Sequence, residues 1–201
     1  MAAELSIPVR DGCPGTPEKE VIRAAQAGDF HAFELLVRAY QSRVLAVARR
    51  IVGSPEDAHD VAQDVFVKLY RFLPKYRTER TFFTWLYKLT INAAYDFLRK
   101  ESRHQAVPLE DFLPQMAAPG RTDPPAGGDL RQNIPGLVQR LTFLQRSVFI
   151  LRDVEELSVK EISGILGCKP TTVRSHLRNA RARLRILILE LHPEYLKEAG
   201  A

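Results

Sequence analysis

The sequence predicts an all-α fold of two small helical domains joined by a flexible linker, with a helix-turn-helix as the C-terminal domain. Three observations support this prediction. Apolar residues recur at spacings of three and four, no segment shows convincing strand alternation, and a stretch rich in proline and glycine interrupts the pattern. We expect a flexible tail at residues 1–15, a first domain at 16–104, a linker at 105–134 and a second domain at 135–201, because long structureless stretches are atypical within one compact domain.

Capping residues mark the helices of the first domain. A first helix can begin at Thr16 and stop at Gly28, and Asp29 can cap a second helix whose apolar stripe ends at Gly53. Ser54 then precedes a third helix with a first-turn proline and an acid at its third position. That helix must finish by Pro74.

A fourth helix is predicted from about Phe82 to Arg103. Its two faces differ in polarity, with Trp85, Lys88, Asn92, Asp96 and Arg99 on the side away from the apolar stripe. That stripe is formed by Phe82, Leu86, Leu89, Ala93 and Phe97.

The second domain contains two consecutive helices with strong boundary signals. The helical pattern returns after Pro135 with Leu137, Leu141, Leu144, Val148 and Leu151. Ser158 and Glu161 form a capping box, and Gly167 supplies a residue that tolerates positive φ. Pro170 can start the final helix, whose inner face carries Val173, Leu177, Ala180 and Leu184.

Charge is distributed unevenly along a chain of 201 residues with a formal net charge of +5. Between Ile162 and Leu189 there are six basic residues and no acid, whereas residues 55–66 carry four acids and no lysine or arginine. The two ends of the molecule therefore call for different partners.

The composition also argues against several classes of protein. The two cysteines fit no zinc or redox spacing, and the five histidines are scattered, so we predict no metal and no cofactor. There is no signal peptide or bilayer-spanning apolar run, which predicts a cytoplasmic protein without membrane insertion. His59, Asp60 and Asp64 could form an acid–base group, but a solvated acidic surface is the favoured interpretation, so we predict no enzyme activity.

The final helix is the candidate DNA-reading element. If its apolar stripe faces the core, polar and basic side chains share the outward face, where they can enter a major groove. The alternative is a solvated basic helix without a ligand. The candidate residues are Lys169, Thr171, Thr172, Arg174, Ser175, Arg178 and Arg181.

Two long runs in this domain carry a family resemblance. The runs VFILRDVEELSVKEISGILG from residue 148 and TVRSHLRNAR from residue 172 resemble the C-terminal domain of extracytoplasmic-function sigma factors. In that family the domain recognises the minus-35 promoter element. Other helix-turn-helix families share only parts of these runs, so this domain alone leaves a response-regulator output domain open.

A segment of the first domain supports the same family. The run DAHDVAQDVF from residue 57 is similar to the family's region 2.2, which docks on a coiled coil of the largest polymerase subunit. An acidic face suits a basic partner surface, although acids on a helix can also be merely solvated. The implied core-polymerase-binding residues are Asp57, Asp60, Gln63, Asp64 and Phe66.

The run YRTERTFFTWLYKLTINAAYDFLR from residue 76 resembles the family's segment that melts and reads the minus-ten element. It interleaves aromatic and basic side chains, which strand capture requires, although several of the aromatics can equally belong to the core. By resemblance the loop from Arg77 to Thr81 cradles a flipped base, and Asn92 and Asp96 contact neighbouring bases. The implied minus-ten residues are Arg77, Thr78, Glu79, Arg80, Trp85, Lys88, Asn92, Tyr95, Asp96 and Arg99.

The chain departs from the family pattern at four places. Lys169 stands where a small cap or proline is frequent, Ile91 where arginine is common, and His59 where an acid is usual, and the run from Leu141 lacks the frequent Leu-Pro opening. These departures affect promoter sequence and affinity. The resemblance implies core RNA polymerase, promoter DNA and an anti-sigma protein as partners, and a linker that passes toward the polymerase active-site channel.

Two other function classes compete with that of a sigma factor. A conventional helix-turn-helix repressor or activator would need a dimer surface, and the sequence shows no heptad seam or sensor domain. An enzyme acting on nucleic acid would need a catalytic constellation, which we do not find in the sequence. Dependence on core polymerase distinguishes a sigma factor from a conventional helix-turn-helix regulator, and catalytic turnover would identify an enzyme.

Overall fold

The computed structural model describes residues 9–10, 13–14, 19–77, 81–104 and 130–193. Within these ranges the chain is almost entirely helical, which confirms the all-α prediction. The exception is a short antiparallel pairing of β1 (Val9–Arg10) with β2 (Cys13–Pro14), in the segment predicted to be a tail. The helices are α1 (Lys19–Gln26), α2 (Phe30–Val52), α3 (Pro55–Phe72), α4 (Phe82–His104), α5 (Leu130–Gln139), α6 (Phe143–Phe149), α7 (Val159–Leu166) and α8 (Pro170–Leu191).

The helix boundaries of the first domain follow from its capping residues. The Asp29 carboxylate accepts bonds from the backbone N–H groups of His31 and Ala32, at 2.9 and 3.1 Å, and starts α2. Gly53 ends α2 with a φ of 91°. The Ser54 hydroxyl accepts a bond from the Asp57 N–H at 3.3 Å and starts α3. These predicted boundaries are confirmed.

The first domain is built around α2, which packs against α1, α3 and α4. Its core contains fully buried side chains from all three longer helices, including Leu36, Tyr40, Val65, Leu69 and Leu86. A single-turn 3-10 helix, Leu73–Lys75, follows α3. The Gln26 side-chain amide donates to the carbonyls of Leu73 and Tyr76, at 3.0 and 2.8 Å, and so fixes the start of the loop toward α4.

The second domain differs from prediction at its start. Helix α5 begins at Leu130, inside the stretch assigned to the linker, and Pro135 lies within it. The expected single stripe from Leu137 onward is divided, because Thr142 ends one turn and caps α6 through a capping box with Gln145. Leu144 is consequently 39% exposed instead of buried.

The helix-turn-helix is formed as predicted. Both bonds of the Ser158–Glu161 capping box are present, and Gly167 ends α7 with a φ of 67°. Helix α8 starts at Pro170 and buries Val173, Leu177, Ala180 and Leu184 against the domain core. A π-helical turn, Ile150–Val154, connects α6 to the segment before α7.

The two domains pack against each other, whereas the sequence predicted only that a flexible linker joins them. Helix α7 lies against α4, and α5 and α6 contact α2. Buried side chains of both domains therefore form one continuous core. Among the described residues no helix is long and apolar enough to cross a membrane.

Candidate polymerase and nucleic-acid interfaces

The acidic face of α3 is exposed, as its sequence predicts. Asp60, Gln63 and Asp64 are exposed along the helix, while Asp57 is half-buried beside the Ser54 cap. Phe66 is half-buried and packs against the core of the first domain. The face is therefore a short row of carboxylates with one amide, on a helix whose opposite side packs against α2 and α4.

One lysine connects this acidic face to α4. The Lys68 ammonium lies 2.8 Å from an Asp64 carboxylate oxygen and 3.3 Å from one of Asp96. Partial burial lowers the pKa of Lys68, but the two carboxylates outweigh that effect and raise the pKa overall. The candidate polymerase-docking and minus-ten residues thus share an ion pair.

The minus-ten candidates that the structure describes lie on α4, except for Arg77, which precedes that helix. Asn92, Asp96 and Arg99 are exposed on one side of α4, and Lys88 is half-buried beside them. Arg77 is exposed before the helix, whereas Thr78, Glu79 and Arg80 lie outside the described residues. A polar surface with both donors and acceptors therefore covers this side of α4.

The aromatic residues divide between surface and core. Trp85 is half-buried and stacks on Tyr76 with ring centroids 4.8 Å apart. Tyr95 meets Phe143 of the second domain edge to face at 5.1 Å. Tyr87 is buried, so it offers no stacking surface.

The outward face of α8 presents the predicted basic and hydroxyl residues. Lys169, Thr171, Arg174, Ser175 and Arg178 are exposed, opposite the buried stripe, and Thr172 is half-buried. Lys169 occupies the cap position without a side-chain cap bond.

Arg181, the last candidate on α8, is held by an ion pair within its own domain. Its guanidinium donates two bonds to Asp153 of the π-helical turn, at 3.0 and 2.5 Å. The hydrogen bonds to Asp153 raise the pKa of Arg181. The ion pair with Asp153 therefore fixes the direction of the Arg181 side chain, and the sequence did not indicate this pairing.

Sequence reasoning missed a cluster of charged residues between the domains. The Glu155 carboxylate comes from the second domain, and its side chain is only 5% exposed. It accepts bonds from Arg43 at 3.1 Å, Arg50 at 3.0 Å and the Tyr87 hydroxyl at 2.5 Å, all from the first domain. We call these four residues the Glu155 cluster. Burial, followed by the bond to Glu155, raises the pKa of Tyr87.

A buried arginine makes a second connection between the domains. Arg146 is 0% exposed and donates to the carbonyls of Ile51 at 2.5 Å, Gln139 at 2.8 Å and Leu141 at 3.0 Å. The Gln139 amide donates in turn to the Arg50 carbonyl at 2.7 Å. Two side chains of the second domain therefore satisfy carbonyls at the C-terminal end of α2.

Comparison with known proteins identifies both domains. A family model described as Sigma-70 region 2 matches residues 36–104, and one described as Sigma-70, region 4 matches residues 131–184. No group of acidic, histidine and cysteine side chains suited to a metal occurs within the described part of the chain.

Curated relatives match along most of the chain. The RNA polymerase sigma-H factor of Pseudomonas aeruginosa is 35% identical over 173 residues, covering 82% of this chain and 90% of that protein. The ECF RNA polymerase sigma-E factor of Escherichia coli strain K12 is 33% identical with the same coverage.

A solved structure confirms the fold. The sigma factor RpoE of Bartonella quintana, in complex with the anti-sigma factor NepR, superposes with a TM-score of 0.62 at 21% identity, covering 78% of this chain and 96% of that one. With this fold, both sigma domains and relatives at this identity, the chain belongs to the extracytoplasmic-function family of sigma factors, non-enzymatic subunits that direct bacterial RNA polymerase to promoters and open the DNA there.

Proposed function

We propose that three surfaces of this sigma factor divide the work of initiation. Asp57, Asp60, Gln63, Asp64 and Phe66 of α3 dock on core polymerase. The loop before α4 and the exposed side of α4 bind and melt the minus-ten element. The outward face of α8 binds the minus-35 element. We assign the first two surfaces to a domain at 16–104 and the third to a domain that begins with α5 at Leu130, the two being joined by a linker.

The observation that supports this division best is the asymmetry of α8. Its apolar stripe is buried, and the opposite face exposes basic and hydroxyl side chains, among them Arg174, Ser175 and Arg178. Arginine pairs bidentately with guanine, and a helix with this distribution of side chains fits a major groove. The stacked Tyr76–Trp85 pair and the adjacent cations give the first domain the chemistry for capturing a single strand.

Run-off transcription with purified core polymerase tests the proposal. We expect Arg178→Ala to weaken promoter binding at the upstream element by about 1–3 kcal/mol. Asn92→Ala should leave that footprint intact and reduce the permanganate reactivity of melted thymines. Arg183→Ala, an exposed arginine about 140° around α8 from Arg178 and so away from the proposed face, is the matched control. An unchanged upstream footprint for Arg178→Ala would contradict the assignment of α8.

We further propose that the protein acts in the cytoplasm, where its polymerase is, and is held inactive there by an anti-sigma protein. The family supports this partner, and the similarly folded sigma factor of Bartonella quintana was solved with one. Co-purification tests the anti-sigma proposal separately. We expect a protein that binds this chain and abolishes transcription, and transcription should return when the two proteins dissociate.

A further inference from the structure

We propose that the Glu155 cluster is an autoinhibitory contact, which holds the free protein in a closed arrangement that cannot engage both promoter elements. The closed arrangement is the packing of α7 on α4, and of α5 and α6 on α2. The inference rests on the proposed division of promoter contacts between the domains. Its first test does not depend on that division.

The geometry of the cluster favours a specific contact over incidental packing. A single buried carboxylate accepts three bonds across the domain boundary, two of them from guanidinium groups. A carboxylate at this depth is stable only with such partners, because a buried charge without them is strongly disfavoured. Separation of the domains exposes all four side chains to water, so the contact can form and break without leaving a charge buried.

The backbone around Glu155 is shaped to present this carboxylate. The residue follows the π-helical turn Ile150–Val154, and its N–H donates to the Ile150 carbonyl at 3.0 Å. The next residue, Glu156, is the only non-glycine with positive φ in the described residues, at 58°. A π-helical turn and a left-handed residue are both uncommon and occur preferentially at functional positions.

The closed arrangement conflicts with promoter binding by its size. A compact body of about 150 residues, the number that the structure describes, has a radius of gyration of about 15 Å and hence a diameter of about 40 Å. The minus-ten and minus-35 elements lie about 25 base pairs apart, which is about 85 Å of DNA. The domains must separate to reach both elements.

The closed arrangement also covers surfaces that DNA binding requires. Tyr95, a minus-ten candidate on α4, packs against Phe143 of the second domain. Helix α7, the first helix of the helix-turn-helix, lies against α4 and is not free to cross a DNA backbone. Opening the Glu155 cluster would release both.

Distance measurement on the free protein is the first test. Spin labels are placed at Gln41→Cys on α2 and Glu190→Cys on α8, both exposed, in a Cys13→Ser, Cys168→Ser background. We expect one narrow distance distribution for this protein. Glu155→Gln keeps the shape of the side chain but removes its charge, and should increase the ratio of open to closed molecules about tenfold.

Two further variants make the result specific. Glu156→Gln changes the same charge at the neighbouring, exposed position and should leave the distribution narrow. Tyr87→Phe removes one donor from the other side of the contact and should give an intermediate shift. Helical circular dichroism must remain unchanged in all of them, so that opening is distinguished from unfolding. A narrow distribution in folded Glu155→Gln would overturn the proposal.

Promoter binding in the presence of saturating core polymerase is the second test. The docking face of α3 is exposed in the closed arrangement, so closure should not prevent core binding, but only open molecules reach both promoter elements. Closed molecules therefore lower the apparent affinity for a promoter that carries both elements, and Glu155→Gln should bind it several-fold more tightly than the parent protein. If Glu155→Gln opens the molecule but leaves this affinity unchanged, the contact is not autoinhibitory. If the parent protein itself supports no promoter-specific transcription with core polymerase, the proposed function is refuted instead.

Discussion

At the scale of single residues, Arg146 shows how a cation can be accommodated in a core without a carboxylate. Its three acceptors are backbone carbonyls, two of them from the C-terminal ends of α2 and α5. Helix C-termini carry partial negative charge, which suits a guanidinium. Burial lowers the pKa of Arg146 to about 10, so the side chain stays protonated at neutral pH. The residue therefore ties the domains together through charge–dipole contacts.

Gly53 allows a prediction at the same scale. Its φ of 91° favours glycine, and a Cβ built there would lie 2.9 Å from the Cδ atom of Gln139. Gly53→Ala therefore combines backbone strain of about 1–2 kcal/mol with displacement of a side chain that bonds to Arg50, worth about 1 kcal/mol more. We expect urea denaturation to report the sum of the two effects.

Gly28 supplies the matched control for Gly53. Its φ is 97°, yet a Cβ there would meet nothing within 4 Å. Gly28→Ala should consequently show the backbone strain alone. Equal losses of unfolding free energy for the two variants would argue that Gln139 does not constrain Gly53, and Gln139→Ala should reduce the difference between them.

At the scale of elements, helix boundaries followed from local chemistry. Asp29, Ser54 and Ser158 were predicted as caps from sequence, and each makes its cap bond within three residues along the chain. The outward face of α8 followed in the same way, from the spacing of its apolar stripe. Such features depend on neighbouring residues, which is why sequence was sufficient to predict them.

The domain junction could not be predicted on the same basis. Arg43 and Glu155 are 112 positions apart, and Arg146 and Ile51 are 95 apart. No local pattern distinguishes these charged side chains from solvated ones. The sequence likewise left open whether the aromatics of the run from residue 76 stack on bases or belong to the core, and burial with the bond to Glu155 places Tyr87 in the core.

The cap of α8 is the weakest in the helix-turn-helix and yields a prediction for this element. Lys169 accepts no bond from the first turn, whereas Ser158 caps α7 through its hydroxyl. Lys169→Ser should stabilise the protein by about 0.5–1 kcal/mol, because the serine hydroxyl oxygen can accept a hydrogen bond from an unpaired backbone N–H of the first turn of α8. Ser158→Ala should cost about the same amount. Thermal unfolding of both variants checks the prediction, and destabilisation by Lys169→Ser would refute it.

At the scale of the whole molecule, closed and extended arrangements place opposite demands on the linker. Closure is stabilised by contacts between the domains, whereas promoter engagement needs reach. The 25 residues between α4 and α5 can extend at most about 85 Å, at roughly 3.4 Å per residue. That reach is comparable with the separation of the two promoter elements. Linker length should therefore limit the spacing between the elements at which the protein is active.

Deleting fifteen of these residues tests this limit, because it reduces the maximum reach to about 35 Å. We expect transcription in the run-off assay to be lost, while binding of a separate minus-35 duplex is retained. Replacing the same fifteen residues by a glycine–serine sequence of equal length is the control, and it should restore transcription if reach is the limiting quantity. Loss of transcription with the replacement as well would show that the linker acts through its sequence, in keeping with a path toward the polymerase active-site channel. Full activity of the deletion would mean that the domains need not separate by the distance inferred from DNA geometry.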